Sequence, residues 1–183
     1  MASMELQAAT EVAKAAGISE HHHVRLPDLK EASDIQTATF AGMPPTYIPM
    51  KNAIFYSLAA SYAEEVGASA IVGGHNRDDA KTFADAGPIF FGELRRAFWV
   101  GSPILRERRM TILLPLSGKT KVQVVKLASS LGVPLELTWS CHREGGSHCW
   151  ECEGCRARVA AFAKADLIDP LEGPTMRGKF HKE

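Results

Sequence analysis

The chain has 183 residues, 45% of them hydrophobic and 23% charged, which predicts an ordinary globular protein with a sizeable core. Lys+Arg and Asp+Glu both number 21, so the formal net charge is zero and no global field draws the chain to nucleic acid or an anionic membrane. No apolar run approaches the roughly 20 residues of a membrane span, and the N-terminus lacks a signal peptide's apolar core, so the expected location is cytoplasmic.

In chain order, Glu5–Ala16 predicts a helix, with Leu6, Ala9, Val12, Ala13 and Ala16 on one apolar face and Gly17 as its stop. His22–Leu26 reads as a short strand. The run His21-His22-His23 is a poor metal site, because adjacent strand residues point to opposite faces. Pro27–Pro49 is irregular, with Pro44-Pro45 as a breaker, and long enough to suggest a functional loop. Asn52 is placed to cap a helix running to Val66 and ended by Gly67. Ala68–Val72 reads as a buried strand, followed by a polar loop from His75 to Gly87. Pro88–Phe98 predicts a helix with proline in its first turn. Thr111–Leu114 reads as a strand, Lys119–Leu131 as an amphipathic helix ended by Gly132, and Val133–Trp139 as a strand. Cys155–Ala165 predicts the last helix. The tail, 171–183, is expected to be mobile. Alternating helices and strands predict a parallel α/β sheet in a single domain over residues 1–183. The chain opens on a helix, however, and contains no Gly-rich phosphate loop of a standard kind.

Four motifs carry chemistry. The cysteines Cys141, Cys149, Cys152 and Cys155 follow C-x7-C-x2-C-x2-C within a knuckle at 139–156. A reducing cytosol makes such a cluster a metal site rather than a disulfide framework. Four thiolates complete a tetrahedral shell and leave no position for water, so the expected ion is a structural Zn2+. His142 and His148 could replace a thiolate, but four cysteines suffice. The second motif, His75-Asn76-Arg77-Asp78-Asp79 with Asp85, follows a strand, where open α/β sheets bind ligands. Its carboxylates could hold Mg2+ or accept from a heterocycle's N–H groups; a solvated turn capped by Asp78 fits the residues equally well. The third, Tyr47-Ile48-Pro49-Met50-Lys51-Asn52, enters a helix, where N–H groups and Lys51 favour an anion, or where a plain cap suffices. The fourth, Leu116-Ser117-Gly118-Lys119-Thr120-Lys121, is another loop entering a helix and has the wrong spacing for a Walker loop. The arginines Arg95, Arg96, Arg106, Arg108 and Arg109 read as solvated surface.

Together Y-I-P-M-K-N, G-H-N-R-D-D, the downstream Asp85, P-L-S-G-K-T-K and the W-S-C block ending in C-x2-C-x2-C resemble 7-cyano-7-deazaguanine synthase, over about Glu5 to Pro170. The resemblance implies a Rossmann-like, adenine nucleotide alpha hydrolase-like fold with a small C-terminal zinc-binding region. It implies a ligase that uses ATP, with Mg2+, to adenylate the carboxylate of 7-carboxy-7-deazaguanine. Ammonia displaces AMP to give an amide, and a second activation gives the nitrile base used for queuosine or archaeosine. Under it Asn52, Asp79 and Asp85 are substrate-binding, Lys51, Lys119 and Lys121 meet nucleotide phosphates, and the four cysteines are the zinc ligands; no catalytic residue is assigned. The substrates are the expected partners, without membrane or direct nucleic acid. The sequence departs from the family pattern at Lys51, where arginine is typical, at His142, where tyrosine is frequent, and at Ala86-Gly87, where arginine precedes proline. The family's S-G-G-x-D-S phosphate loop does not occur in these residues. A sheet lacking that βα unit would bare one flank and invite a homodimer.

Overall fold

Gly67 and Gly73 bracket the short apolar run that becomes the first strand. The computed structural model describes residues 2–26, 29, 31, 42–44, 47–143 and 145–171, so much of the expected irregular segment 27–49, Pro45 included, and the tail beyond Leu171 lie outside the described residues. The chain divides into two compact units, residues 25–120 and residues 1–24 with 121–183.

In the unit spanning 25–120, helix α2 (Lys51–Val66) stops at Gly67, whose φ of 76° is a left-handed cap that glycine adopts without steric cost. Strand β1 (Ala70–Val72) pairs in parallel with β2 (Thr111–Leu113), Ile71 opposite Ile112. Parallel strands need a crossover. It consists of α3 (Arg77–Thr82), a 3-10 turn at Ala84–Ala86, α4 (Pro88–Gly101) and α5 (Pro103–Glu107). Helix α2 packs on β1 and α4 on β2. Ala60, Leu105 and Met110 form the buried centre, with Ile71, Phe98 and Ile112 against it. Beyond β1 the backbone passes so close to α2 that a Cβ on Gly73 would collide with the Tyr56 hydroxyl. The result is a small parallel sheet with flanking helices.

The second unit holds α1 (Ala2–Ala15), α6 (Lys121–Ser130), a 3-10 turn at Leu135–Leu137 and α7 (Glu153–Ala165), with α6 against α7. Its buried polar feature is a two-pronged ion pair. Arg158 Nε donates to Asp169 Oδ2 at 2.6 Å and Nη2 to Oδ1 at 2.8 Å. The same guanidinium donates to Thr138 Oγ1 at 2.6 Å and to the Leu135 carbonyl at 3.0 Å.

Several expected elements differ. Among the described residues only β1 and β2 are strands, so the fully developed Rossmann-like sheet predicted from the alternation is not observed. His22–Leu26 forms no strand: His21 to Arg25 are all exposed, with no alternate apolar face to bury. Val133–Trp139 forms no strand; Leu135–Leu137 within it is a 3-10 turn, because Pro134 has no N–H and the Leu135 carbonyl is claimed by Arg158. Asn52 is not the cap of α2; Met50 holds that position in a left-handed conformation, φ 54°, and makes no side-chain cap. The polar loop after His75 contains α3, capped by Asn76 rather than Asp78. An unforeseen helix, α5, starts at Ser102, whose hydroxyl accepts from Leu105 N–H at 3.1 Å ahead of Pro103.

Candidate functional site

The four cysteines converge. Their Sγ atoms all lie within 4.8 Å of one another, and Cys149 and Cys155 are 3.9 Å apart. Thiolates about 2.3 Å from a tetrahedral zinc ion sit about 3.8 Å from each other, so the donor set fits that ion. Cys141 and Cys155 are fully buried, and the loop between Cys141 and Cys149 is folded back by His148. His148 Nε2 accepts from Ser140 N–H at 3.1 Å while its ring lies against Trp139 and Trp150, centroids 4.4 and 5.2 Å away. That imidazole organises the loop and is not a ligand. Trp150 takes a left-handed φ of 61° in the tight turn between Cys149 and Cys152.

Backbone N–H groups aim at the sulfurs. His142 donates to Cys152 Sγ at 3.4 Å, Arg143 to Cys141 Sγ at 3.4 Å, and Cys152 to Cys149 Sγ at 3.3 Å. Such donors favour thiolates. N–H groups of Glu151 and Cys152 bring Cys149 down to about 6 against the opposing effect of burial. Burial opposes ionisation of Cys152 too, but the N–H groups of His142 and Cys155 leave it lowered. Burial pushes Cys155 up to about 12, so its ionisation requires a bound cation's charge. A four-cysteine cluster able to bind a metal is therefore present, with a closed shell that leaves no catalytic position. Glycine is required beside it. A Cβ on Gly154 would collide with the Ser140 carbonyl oxygen and lie 2.7 Å from His142 Nε2.

A second site lies in the other unit, at the carboxyl end of β1. A cavity of about 280 Å³ is lined by Tyr47, Lys51, Asn52, His75, Asp79, Phe83 and Asp85, with Ile48 and Ala86. Asn52 and Asp85, 33 residues apart, bind each other twice. Asn52 N–H donates to Asp85 Oδ2 at 3.3 Å, and Asn52 Nδ2 to the Asp85 carbonyl at 3.0 Å. Asp85 thus supplies the negative charge at the N-terminus of α2 that Met50 cannot. Asp79 is oriented by Asn76, whose Nδ2 donates to Asp79 Oδ2 at 2.6 Å and whose Oδ1 accepts from Asp78 and Asp79 N–H at 2.9 and 3.2 Å. This is a reciprocal cap at the spacing N-x-x-D. His75 packs against Phe91 and Tyr56, centroids 4.8 and 5.8 Å away. Burial lowers its pKa and Lys51 adds to that, against the raising effects of Asp79 and Asp85, which favours the neutral ring.

The structure thus brings Lys51, Asn52, Asp79 and Asp85 together from three segments. Among the described residues, Lys119 and Lys121 do not line this cavity. Lys119 reaches the same turn only through its carbonyl, which accepts from Arg77 N–H at 2.8 Å; Lys121 opens α6 in the other unit. Among the described residues the cysteines are the one group of three or more metal-binding side chains that come together. His75 and Phe83 complete the lining of the cavity; the sequence placed His75 at the end of a strand, whereas Phe83 carries no chemical mark at all.

Comparison with known proteins decides the family. The profile described as queuosine biosynthesis protein QueC matches residues 1–166. The chain belongs to the QueC family. It is 39% identical over 130 residues to the 7-cyano-7-deazaguanine synthase of Thermoplasma acidophilum, a match covering 71% of this chain and 55% of that protein. It therefore spans about half the length of that relative. To the 7-cyano-7-deazaguanine synthases of Nostoc punctiforme and Thermosynechococcus vestitus it is 35% and 34% identical over 182 residues, covering 91% of this chain and 81% and 78% of theirs. As a QueC family member it carries a cysteine quartet that fits a structural zinc ion. No helix among the described residues is long and apolar enough to cross a membrane.

Proposed function

We propose that this chain carries the deazaguanine-binding part of an ATP-dependent 7-cyano-7-deazaguanine synthase, in an adenine nucleotide alpha hydrolase-like fold. The observation that carries the reading is the cavity at the end of β1, where Asn52, Asp79, Asp85 and Lys51 share one wall system. A guanine-type edge presents adjacent N–H donors, and carboxylates are the acceptors that match them. Lys51 adds a cation for the substrate's carboxylate or for a phosphate. Membership of the QueC family and the similarity to 7-cyano-7-deazaguanine synthases support this reading.

In that reaction a carboxylate oxygen of 7-carboxy-7-deazaguanine attacks the α-phosphorus of ATP and pyrophosphate leaves. Ammonia then adds to the acyl carbon and AMP departs, giving the amide. The amide oxygen then attacks the α-phosphorus of a second ATP, pyrophosphate leaves, and loss of AMP and of both amide N–H protons gives the nitrile. Mg2+ bound with the ATP phosphates would supply neutralisation of their charge. The chain's own residues hold the heterocycle: Asp79 and Asp85 accept from it, Asn52 fixes Asp85, and neutral His75 closes the cavity floor against Phe91. Cys141, Cys149, Cys152 and Cys155 would hold a zinc ion, which would fix the C-terminal fold.

The test is calorimetry with 7-carboxy-7-deazaguanine on the wild type, Asp79→Asn and Asp85→Asn, with melting curves run alongside because Asp85 also caps α2. Binding by the wild type that Asp79→Asn weakens at unchanged melting temperature supports the reading; equal binding by all three overturns it. A second reading, binding without turnover, is favoured by one observation: among the described residues neither Lys119 nor Lys121 lines the cavity. Phosphate positioning carries much of the catalysis in such chemistry. AMP release from this chain with ATP, ammonia and the carboxylate would decide for turnover; binding with no AMP would decide for the second reading.

A further inference from the structure

Resting on the heterocycle reading of the same cavity, we infer that Tyr47 and Phe83 are its specificity-determining walls: a slot that grips a planar bicyclic base by its two faces. Both rings line the cavity, and they come from opposite sides of it in sequence, Tyr47 ahead of α2 and Phe83 at the C-cap of α3. Their planes are 15° from parallel and their centroids 6.2 Å apart. That separation lies toward the long end of direct aromatic contact. Neither ring is in the core; both are half-buried. Bases stack at about 3.4 Å, so a base held between the two rings needs about 6.8 Å between their planes.

The acceptors stand where such a base would need them. Asp79 is four residues before Phe83 and Asp85 two residues after it, and both carboxylates line the same cavity as the two rings. The slot therefore selects by flatness and the carboxylates by N–H pattern. A flat base lacking adjacent N–H donors would stack without being read, and a saturated ring with the donors would be refused by the walls. Stacking of a base on an aromatic side chain changes affinity by roughly 5- to 150-fold on removal of the ring.

The experiment measures binding of two probes, 7-carboxy-7-deazaguanine and guanine, to the full chain by calorimetry. The proteins are wild type, Tyr47→Leu and Phe83→Leu, which keep apolar volume, and Tyr47→Phe and Phe83→Tyr, which keep the ring. The expected result is a loss of roughly 5- to 150-fold in the leucine variants at unchanged melting temperature, with near wild-type affinity in the ring-conserving pair. If wild type binds and the leucine variants bind equally well, the slot is refuted while the heterocycle reading stands. If guanine binds through the rings but the carboxylate does not, the slot stands and the synthase reading falls. If wild type binds neither probe, both fall.

Discussion

Asp169→Ala is the sharpest test of how the cysteine quartet is held. The Arg158 side chain is 6% exposed and that of Asp169 is fully buried, and the two make two short bonds. Removing the carboxylate leaves a guanidinium charge buried without its counter-ion, at a cost of about 3–5 kcal/mol. For a chain of this length each kcal/mol lowers the melting temperature by about 2–4 °C, so the expected fall is roughly 6–20 °C. The effect should extend to the metal. Arg158 lies on α7, one turn beyond Cys155, and grips Thr138 and Leu135 on the segment that leads to Cys141. Loosening that grip separates Cys141 from the other three ligands, so zinc should be lost to a competing chelator at lower chelator concentration. Calorimetric melting and chelator titration of zinc-loaded protein read both effects. The double variant Arg158→Met/Asp169→Ala removes charge and counter-ion together and should recover most of the loss. A single variant that melts within about 2 °C of wild type, or a double variant no better than the single, would refute the argument.

Purified protein is expected to carry about one zinc by elemental analysis, and Cys152→Ser to lower both zinc content and melting temperature; metal-free protein that is fully folded in strong chelator would count against a structural ion. Gly154→Ala places a methyl group against the Ser140 carbonyl and His142, and should cost zinc affinity by pushing the Cys141 segment off α7; a fully loaded, normally melting variant would contradict it. His75 has a folded pKa below the ordinary value near 6.5, so the unfolded chain binds the extra proton first as pH falls. Its contribution is therefore complete above about pH 6.5 and declines as pH falls from there toward the folded value. Urea titrations at about pH 7.5 and 5.5, either side of that value, should show a smaller acid loss in His75→Gln than in wild type; an equal loss would place the titrating group elsewhere.

Local chemistry explains what was legible in the sequence. Helix ends marked by Gly67, Gly132 and Pro88 fall within two residues of expectation because backbone freedom and a fixed φ act at a single position. The cysteine spacing was legible for the same reason: the ligands are close in sequence. Errors arose where a distant residue intervened. Asn52 has the chemistry of a cap, but Asp85, 33 residues away, occupies the end of α2 and turns Asn52 into its own partner. The run 133–139 has the composition of a strand, yet Arg158, a buried cation from α7, takes its carbonyl and hydroxyl groups. That Asp79 and Asp85 line the cavity after β1 was legible from their place after a strand. Phe83 was not, because an aromatic residue in a polar loop looks the same whether it packs inward or walls a cavity.

The two sites obey opposite logic, and that separates their roles. Four sulfurs close a shell around any ion they hold and draw N–H groups inward, so nothing remains for a substrate to displace. The cavity at β1 does the reverse: Asn76 Nδ2 donates to the Asp79 carboxylate and the Asn52 backbone N–H donates to that of Asp85, and both acidic residues line the same open space. Preorganised acceptors of this kind lower the cost of ordering the site when a ligand arrives. Losing zinc should therefore change how much folded protein there is, whereas replacing Asp79 should change what that protein binds.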